Sequence, residues 1–275
     1  SMTGGLELNL PDLSVLSLLT PEIAKASGAL DADFALIGSL RQPVVDGELS
    51  VSDGRIKLTT PGVELRDFGF DFTTSRGNPT PLVANARSGG GTVELKGQIE
   101  SYADPLRAEI TLKGKDFQAS DTRAAAVWVS PDLKLVLNGK RADLTGLLLV
   151  PRALIAPRDL HLGQSPSDDQ YIVDEEEQEK RREALQIYSD VTVTLGEDVR
   201  FLGFGLRARL AGELRTVEQP GRSPIARGEV HLEDGVYEAY GQELKIITGR
   251  LVYTGGLLSD PGLELKAQRT PREDI

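Results

Sequence analysis

His161 and His231 are the only two imidazoles in this 275-residue chain, and neither has a partner four residues away on a shared helical face. A zinc site takes three or four His, Cys or carboxylate ligands, and the chain has no cysteine. Both histidines therefore read as surface residues, His231 on the polar parity of Glu229-Val230-His231-Leu232-Glu233 and His161 between Leu160 and Leu162. The same absence removes thiol nucleophiles and disulfides. No Gly-x-Ser-x-Gly elbow occurs, and neither histidine has the Ser and Asp context of a triad. Gly89-Gly90-Gly91-Thr92 lacks the Gly-Lys-Ser/Thr ending through which a P-loop reaches phosphate and magnesium, so it reads as a hairpin loop. Among 42 carboxylates, pairs at any spacing arise by chance and single out no general acid and base. The chain is expected not to be an enzyme and to need no cofactor or metal.

With chemistry set aside, composition becomes the guide. A formal charge of −11 and the lack of a Lys/Arg stripe argue against nucleic acid. Hydrophobic residues make up 39% but aromatics only 5%, so the apolar surface is smooth and aliphatic. No apolar run approaches the roughly 20 residues of a membrane-spanning helix, and the start lacks a signal-peptide pattern. Ser1-Met2 resembles a cloning remnant, and the chain is expected to be an excised segment of an anchored parent.

Period-2 alternation dominates, which predicts strands with one apolar and one polar face. The apolar parity selects Leu49 and Val51, Val93 and Leu95, Ile110 and Leu112, and Leu133, Leu135 and Leu137. Further along it selects Val191, Val193 and Leu195, then Val230 and Leu232, Leu244 and Ile246, Leu251, and Leu263 and Leu265. Turns are expected at Asp46-Gly47, Asp53-Gly54, Gly89-Gly90-Gly91, Asp104-Pro105 and Asp234-Gly235. A weak repeat relates Gly38-Ser39-Leu40-Arg41 followed by Gly47 to Gly54 with Gly212-Glu213-Leu214-Arg215 followed by Gly228 to Gly235. Repeated units that cannot bury their own apolar face suggest a stacked architecture.

Two segments break the pattern. Leu13, Leu16 and Leu19 have helical spacing behind a candidate cap at Asp12, predicting a short helix over Leu13 to Ile23 that covers one end of the sheet, within residues 1–28. Residues 165–188 carry a charge run in which Glu176/Lys180 and Glu177/Arg181 are four apart, consistent with a solvated helix or equally with a linker. The remainder predicts an all-β domain over 1–275. About sixteen strands at roughly 4.8 Å would extend some 75 Å, which favours a sheet folded along its length around an aliphatic trough. A closed β-sandwich is the alternative.

The C-terminal third carries the most specific signal: Gly235-Val236-Tyr237-Glu238-Ala239-Tyr240-Gly241-Gln242-Glu243-Leu244-Lys245-Ile246, then Gly249-Arg250-Leu251-Val252-Tyr253, then Pro261-Gly262-Leu263-Glu264-Leu265-Lys266-Ala267-Gln268-Arg269. This pattern resembles the TamB C-terminal domain, of the wider AsmA-like group. The motif-rich resemblance covers Val191 to Arg269, and a looser one reaches back through Ile37-Gly38-Ser39-Leu40 and Gly28-Ala29-Leu30 to Leu16–Leu19. Gly235, Tyr237, Tyr240, Gly241 and Gln242 are expected to be structural, with Tyr240 and Gln242 on one face if their strand is regular.

The resemblance implies a β-taco whose interior shields phospholipid acyl chains between two membranes. It also implies a periplasmic location, a parent anchored in the inner membrane, and the outer-membrane barrel TamA as partner through a segment beyond Arg269. The older description of the family implies an assembly factor for autotransporters and other outer-membrane proteins, in which strand edges pair with client strands. A purely structural tether is a third possibility.

Overall fold

A computed structural model describes residues 2–39, 42–75, 79–101, 105–157, 185–239 and 241–269. They form one mostly antiparallel sheet of fifteen strands, curled but not closed. In chain order the strands are β1 (Met2–Leu10), β2 (Ile23–Ser39), β3 (Gln42–Leu58), β4 (Glu64–Thr74), β5 (Thr80–Ser88), β6 (Gly91–Ser101), β7 (Arg107–Lys115) and β8 (Phe117–Asp121). They continue with β9 (Ala125–Asn138), β10 (Arg141–Ile155), β11 (Gln186–Gly203), β12 (Leu206–Glu218), β13 (Ile225–Ala239), β14 (Gln242–Leu257) and β15 (Gly262–Arg269). Strands neighbour each other in chain order, except that β9 takes both β7 and β8 on one edge, end to end.

Several strands are longer than the turn signals predict. Asp46-Gly47 and Asp53-Gly54 both lie inside β3, and Asp234-Gly235 lies inside β13. Asp53 and Asp234 adopt left-handed φ of 53° and 52°, and the register slips beside each of them. These are β-bulges, in which one extra residue bends the strand without ending it. Aspartate tolerates this region better than most side chains, and Asp67 and Asp116 adopt it too, at φ 48° and 50°. The internal repeat is thus a repeated bent strand. Gly89-Gly90 does turn the chain, between β5 and β6; Asp104 falls outside the described residues.

One pair is parallel: β10 against β11, with Arg141 opposite Gln186 and Ile155 opposite Phe201. Parallel neighbours need a crossover of a dozen or more residues, and residues 156–185 supply it. The charge run therefore sits in a connection the topology requires, although residues 158–184 lie outside the described set. Gln186, Ile187 and Tyr188, grouped with that run on sequence, belong to β11.

The expected Leu13–Ile23 helix is shorter: a 3₁₀ turn at Leu13–Val15 and one helical turn, α1, at Leu16–Leu19, with Ile23 opening β2. Asp12 caps it as expected, accepting the Ser14 N–H at 2.9 Å. Leu13 is buried, but Leu18 and Leu19 are 84% and 75% exposed, because four helical residues cannot present three leucines to one surface.

Candidate functional site: one apolar face across the sheet

In an antiparallel ladder, directly opposed residues point to the same face. One row can be followed without a break over twelve strands, from Leu10 through Leu30, Val51, Phe70, Ala84 and Leu95. It continues through Leu112, Leu133, Gly146, Val191 and Thr216 to Ala226. At roughly 4.8 Å per strand this row is about 53 Å long. A second row on the same face runs Leu8, Ala32, Leu49, Phe72, Leu82, Gly97, Ile110, Leu135, Leu144.

One residue along each strand, on the opposite face, the row reads Asn9, Asp31, Ser50, Asp71, Val83, Lys96, Thr111, Lys134, Thr145, Asp190. Ion pairs lie along that outer face: Lys134–Glu109 at 2.8 Å, Lys113–Asp132 at 3.2 Å and Arg215–Asp190 at 2.5 Å. The hydrogen-bonded Arg215 guanidinium holds the Asp190 carboxyl below its ordinary range. Leu147 and Leu149 interrupt the polarity as exposed residues of β10.

The residues selected by alternation fall on the apolar face. Val93 stands opposite Ala86 and Gly114, and Leu137 opposite Ala108 and Ala142. Val193 stands opposite Leu148 and Leu214, and Leu195 opposite Val150 and Gly212. Val230 joins Gly212 to Leu251, Leu251 meets Leu263, and Leu232 meets Leu210. Leu244 lies opposite Tyr237, Ile246 opposite Ala267, and Leu265 opposite Gly249. Phe34, Phe70, Phe72 and Tyr253 occupy the same face and were not selected, although the alternation of Phe68-Gly69-Phe70-Asp71-Phe72 signals two of them. Tyr253 is opposite Gly228, and burial pushes its phenol pKa up, as an apolar surrounding should.

No second layer covers this face among the described residues. The elements in substantial contact are ladder neighbours, apart from the Leu13–Leu19 turns on β2 and the approach of β8 to β5 and β6. Leu133, Leu135 and Leu137 are accordingly only half-buried. A cluster of buried apolar side chains, Val150, Ala153 and Val199 with Val127, Val193, Leu195 and Leu210 packed against it, lies among the ladder neighbours β9 to β12 and not between two layers. This excludes the closed sandwich. Toward β15 the face opens, with Leu263 64% exposed.

Tyr237 and Gln242 lie on the two strands of the β13–β14 hairpin. Gly235 sits at the bulge, where a Cβ would press on Ile246, and Ala239 pairs with Gln242 across the turn. Gly241 takes φ 71° in that turn, and Gln242 opens β14 as an exposed residue. The strand is therefore not continuous between positions 240 and 242; Tyr240 itself lies outside the described residues. His231 is exposed on the outer face, 3.6 Å from Glu229, and His161 lies outside the described set. The described residues contain no group of three or more His, Asp or Glu side chains placed to hold a metal, and no helix long and apolar enough to cross a membrane.

Residues 83–274 match the family described as the TamB C-terminal domain. The chain belongs to that family. The translocation and assembly module subunit TamB of Haemophilus influenzae is 25% identical over 98% of this chain. The alignment spans about a fifth of that relative, 21% of its length. The TamB-family match includes the parallel β10–β11 pair and the long apolar row from β5 onward, so these features belong to the domain and not to a neighbouring one.

Proposed function

We propose that this TamB-family segment shields phospholipid acyl chains along its apolar face, as one section of a periplasmic bridge whose parent is anchored in the inner membrane and delivers lipid to the outer membrane. The observation that carries this reading is the continuous, mostly apolar row over twelve strands, which no second layer covers among the described residues. An apolar sheet face must be covered by protein or by a ligand. A row about 53 Å long and aliphatic in composition suits flexible hydrocarbon better than a shaped, polar small molecule. No turnover accompanies this role.

A second reading is supported by the edges. β15 is exposed along its whole length and, among the described residues, pairs with β14 on one side, so its ladder could be continued by an added strand. In that reading the segment assembles client outer-membrane proteins together with the TamA barrel, in keeping with the name of the Haemophilus relative.

Native mass spectrometry of the purified chain separates the two. Co-purifying phospholipid, displaced by added detergent, is the expected result. Lipid-free protein that binds β-strand peptides of outer-membrane clients would support the assembly role and contradict the first.

A further inference from the structure

Among the described residues, the wall of the trough is interrupted beside the β5–β6 hairpin. The β5–β6 hairpin stops at Gly89-Gly90, while β3 and β4 run on to the 59–63 loop and β8 prolongs the line of β7 on the other side. The Asp121 N–H donates to the Pro61 carbonyl at 2.9 Å and closes the far end. The result is an opening two strands wide, occupied by a cleft of about 690 Å³. That volume lies within the roughly 300–1,000 Å³ typical of small-ligand sites.

Its chemistry differs from that of the surrounding wall. Three cations, Lys57, Arg66 and Arg87, line it together with three carboxylates, Glu64, Asp67 and Asp121. Arg66 is held by Glu64 at 2.8 Å, but Arg87 and Asp67 are a loose 3.6 Å apart, and Asp121 has no ion pair among the described residues. A plain anion would meet as many like charges as opposite ones here. A ligand carrying both phosphate and ammonium finds a partner for each.

Ser88 adds an independent pointer. It lines the cleft, is only 2% exposed, and its Oγ is buried without a hydrogen-bond partner. Buried hydroxyls are almost always partnered. Alternation with Ala84 and Ala86 places Ser88 on the apolar face, at the inner rim of the opening. The site therefore joins a charged mouth to the apolar row.

We propose that this opening binds the phosphate–ammonium headgroup of a zwitterionic amphiphile whose acyl chains lie on the adjoining apolar face, with Arg87 on the phosphate and Asp121 on the ammonium. The inference rests on the acyl-chain reading of the trough. It turns a uniform slide into a track with one lateral stop.

The test follows the amide resonances of Gly89, Gly90 and Asp121 in the 275-residue chain during titration with O-phosphoethanolamine, inorganic phosphate, ethanolamine, and dihexanoylphosphatidylethanolamine below its micellar concentration. Expected are saturable shifts with phosphoethanolamine, binding of phosphate at least threefold weaker, no response to ethanolamine, and short-chain lipid at least tenfold tighter than the free headgroup. Arg87→Gln should weaken phosphoethanolamine at least fivefold, and Asp121→Asn should erase its advantage over phosphate. Lys113→Gln, on a distant outer-face pair, should change neither, and preserved resonance dispersion checks folding in each variant. Phosphate binding as tightly as phosphoethanolamine, or indifference to Arg87→Gln, would overturn the site. Short-chain lipid binding no tighter than the headgroup would assign the cleft to a soluble phosphoamine and overturn the amphiphile. Lipid held on the apolar face without any headgroup response here would sink this inference alone and leave the proposed function standing.

Discussion

Gly212 illustrates what single positions contribute to the curl. Its φ is 138°, and a Cβ there would collide with the Glu229 carbonyl oxygen on β13. Backbone strain of this kind costs about 1–3 kcal/mol, so Gly212→Ala should lower stability by that amount in urea unfolding. Gly256→Ala, where nothing stands within 4 Å, should cost clearly less; equal losses would contradict the steric account. Tyr253 offers a second test at this scale. Burial raises its folded pKa, so its contribution to stability is complete below the unfolded phenol value and is lost as pH rises through the folded one. Ultraviolet titration should therefore show a late-ionising phenol that disappears in Tyr253→Phe; a phenol titrating with the exposed tyrosines would refute the apolar surrounding. The inward parity of Leu133, Leu135 and Leu137 was readable because alternation is a local property. The conformations of Asp53 and Asp234 were not, since Asp-Gly serves bulges and turns alike and only pairing with a third strand decides between them.

The parallel β10–β11 pair was invisible for a similar reason at the level of elements. Both strands alternate normally, and direction is set by the connection. That connection must return along the fourteen steps from Arg141 to Ile155, about 46 Å at 3.3 Å per residue. Fully extended, some fourteen residues suffice, and residues 156–185 provide more than that. Replacing Asp168 to Arg182 with six Gly/Ser residues should preserve cooperative unfolding to within about 1 kcal/mol, because closure entropy varies slowly with loop length. Reducing the whole connection to ten residues should break the pair and with it the single transition. Loss of cooperativity in the longer variant would mean that the charged run contributes structure of its own. The helix at Leu13 was legible as a capped turn but not in extent, since its length depends on how soon β2 captures Ile23 as a partner for Leu58.

At the scale of the molecule, the sheet is held by its ladder, and the described residues contain no sandwich core. Its buried apolar residues are mostly alanine and valine, while the leucines of the long rows remain half-covered. Alternation could reveal an apolar face and the strand count could suggest excess length, but whether a second layer closed over that face depended on long-range contacts no local pattern encodes. The open face makes neighbouring residues behave differently toward hydrocarbon. Leu135 lies on the apolar row and Lys134 on the outer row, paired with Glu109. A photo-crosslinking residue placed at 135 or at 134 of the full-length parent in living cells measures this contrast directly. Phospholipid adducts at 135 and none at 134 are the predicted outcome; equal lipid crosslinking at both positions, or exclusively protein adducts at 135, would contradict an acyl-chain-bearing trough.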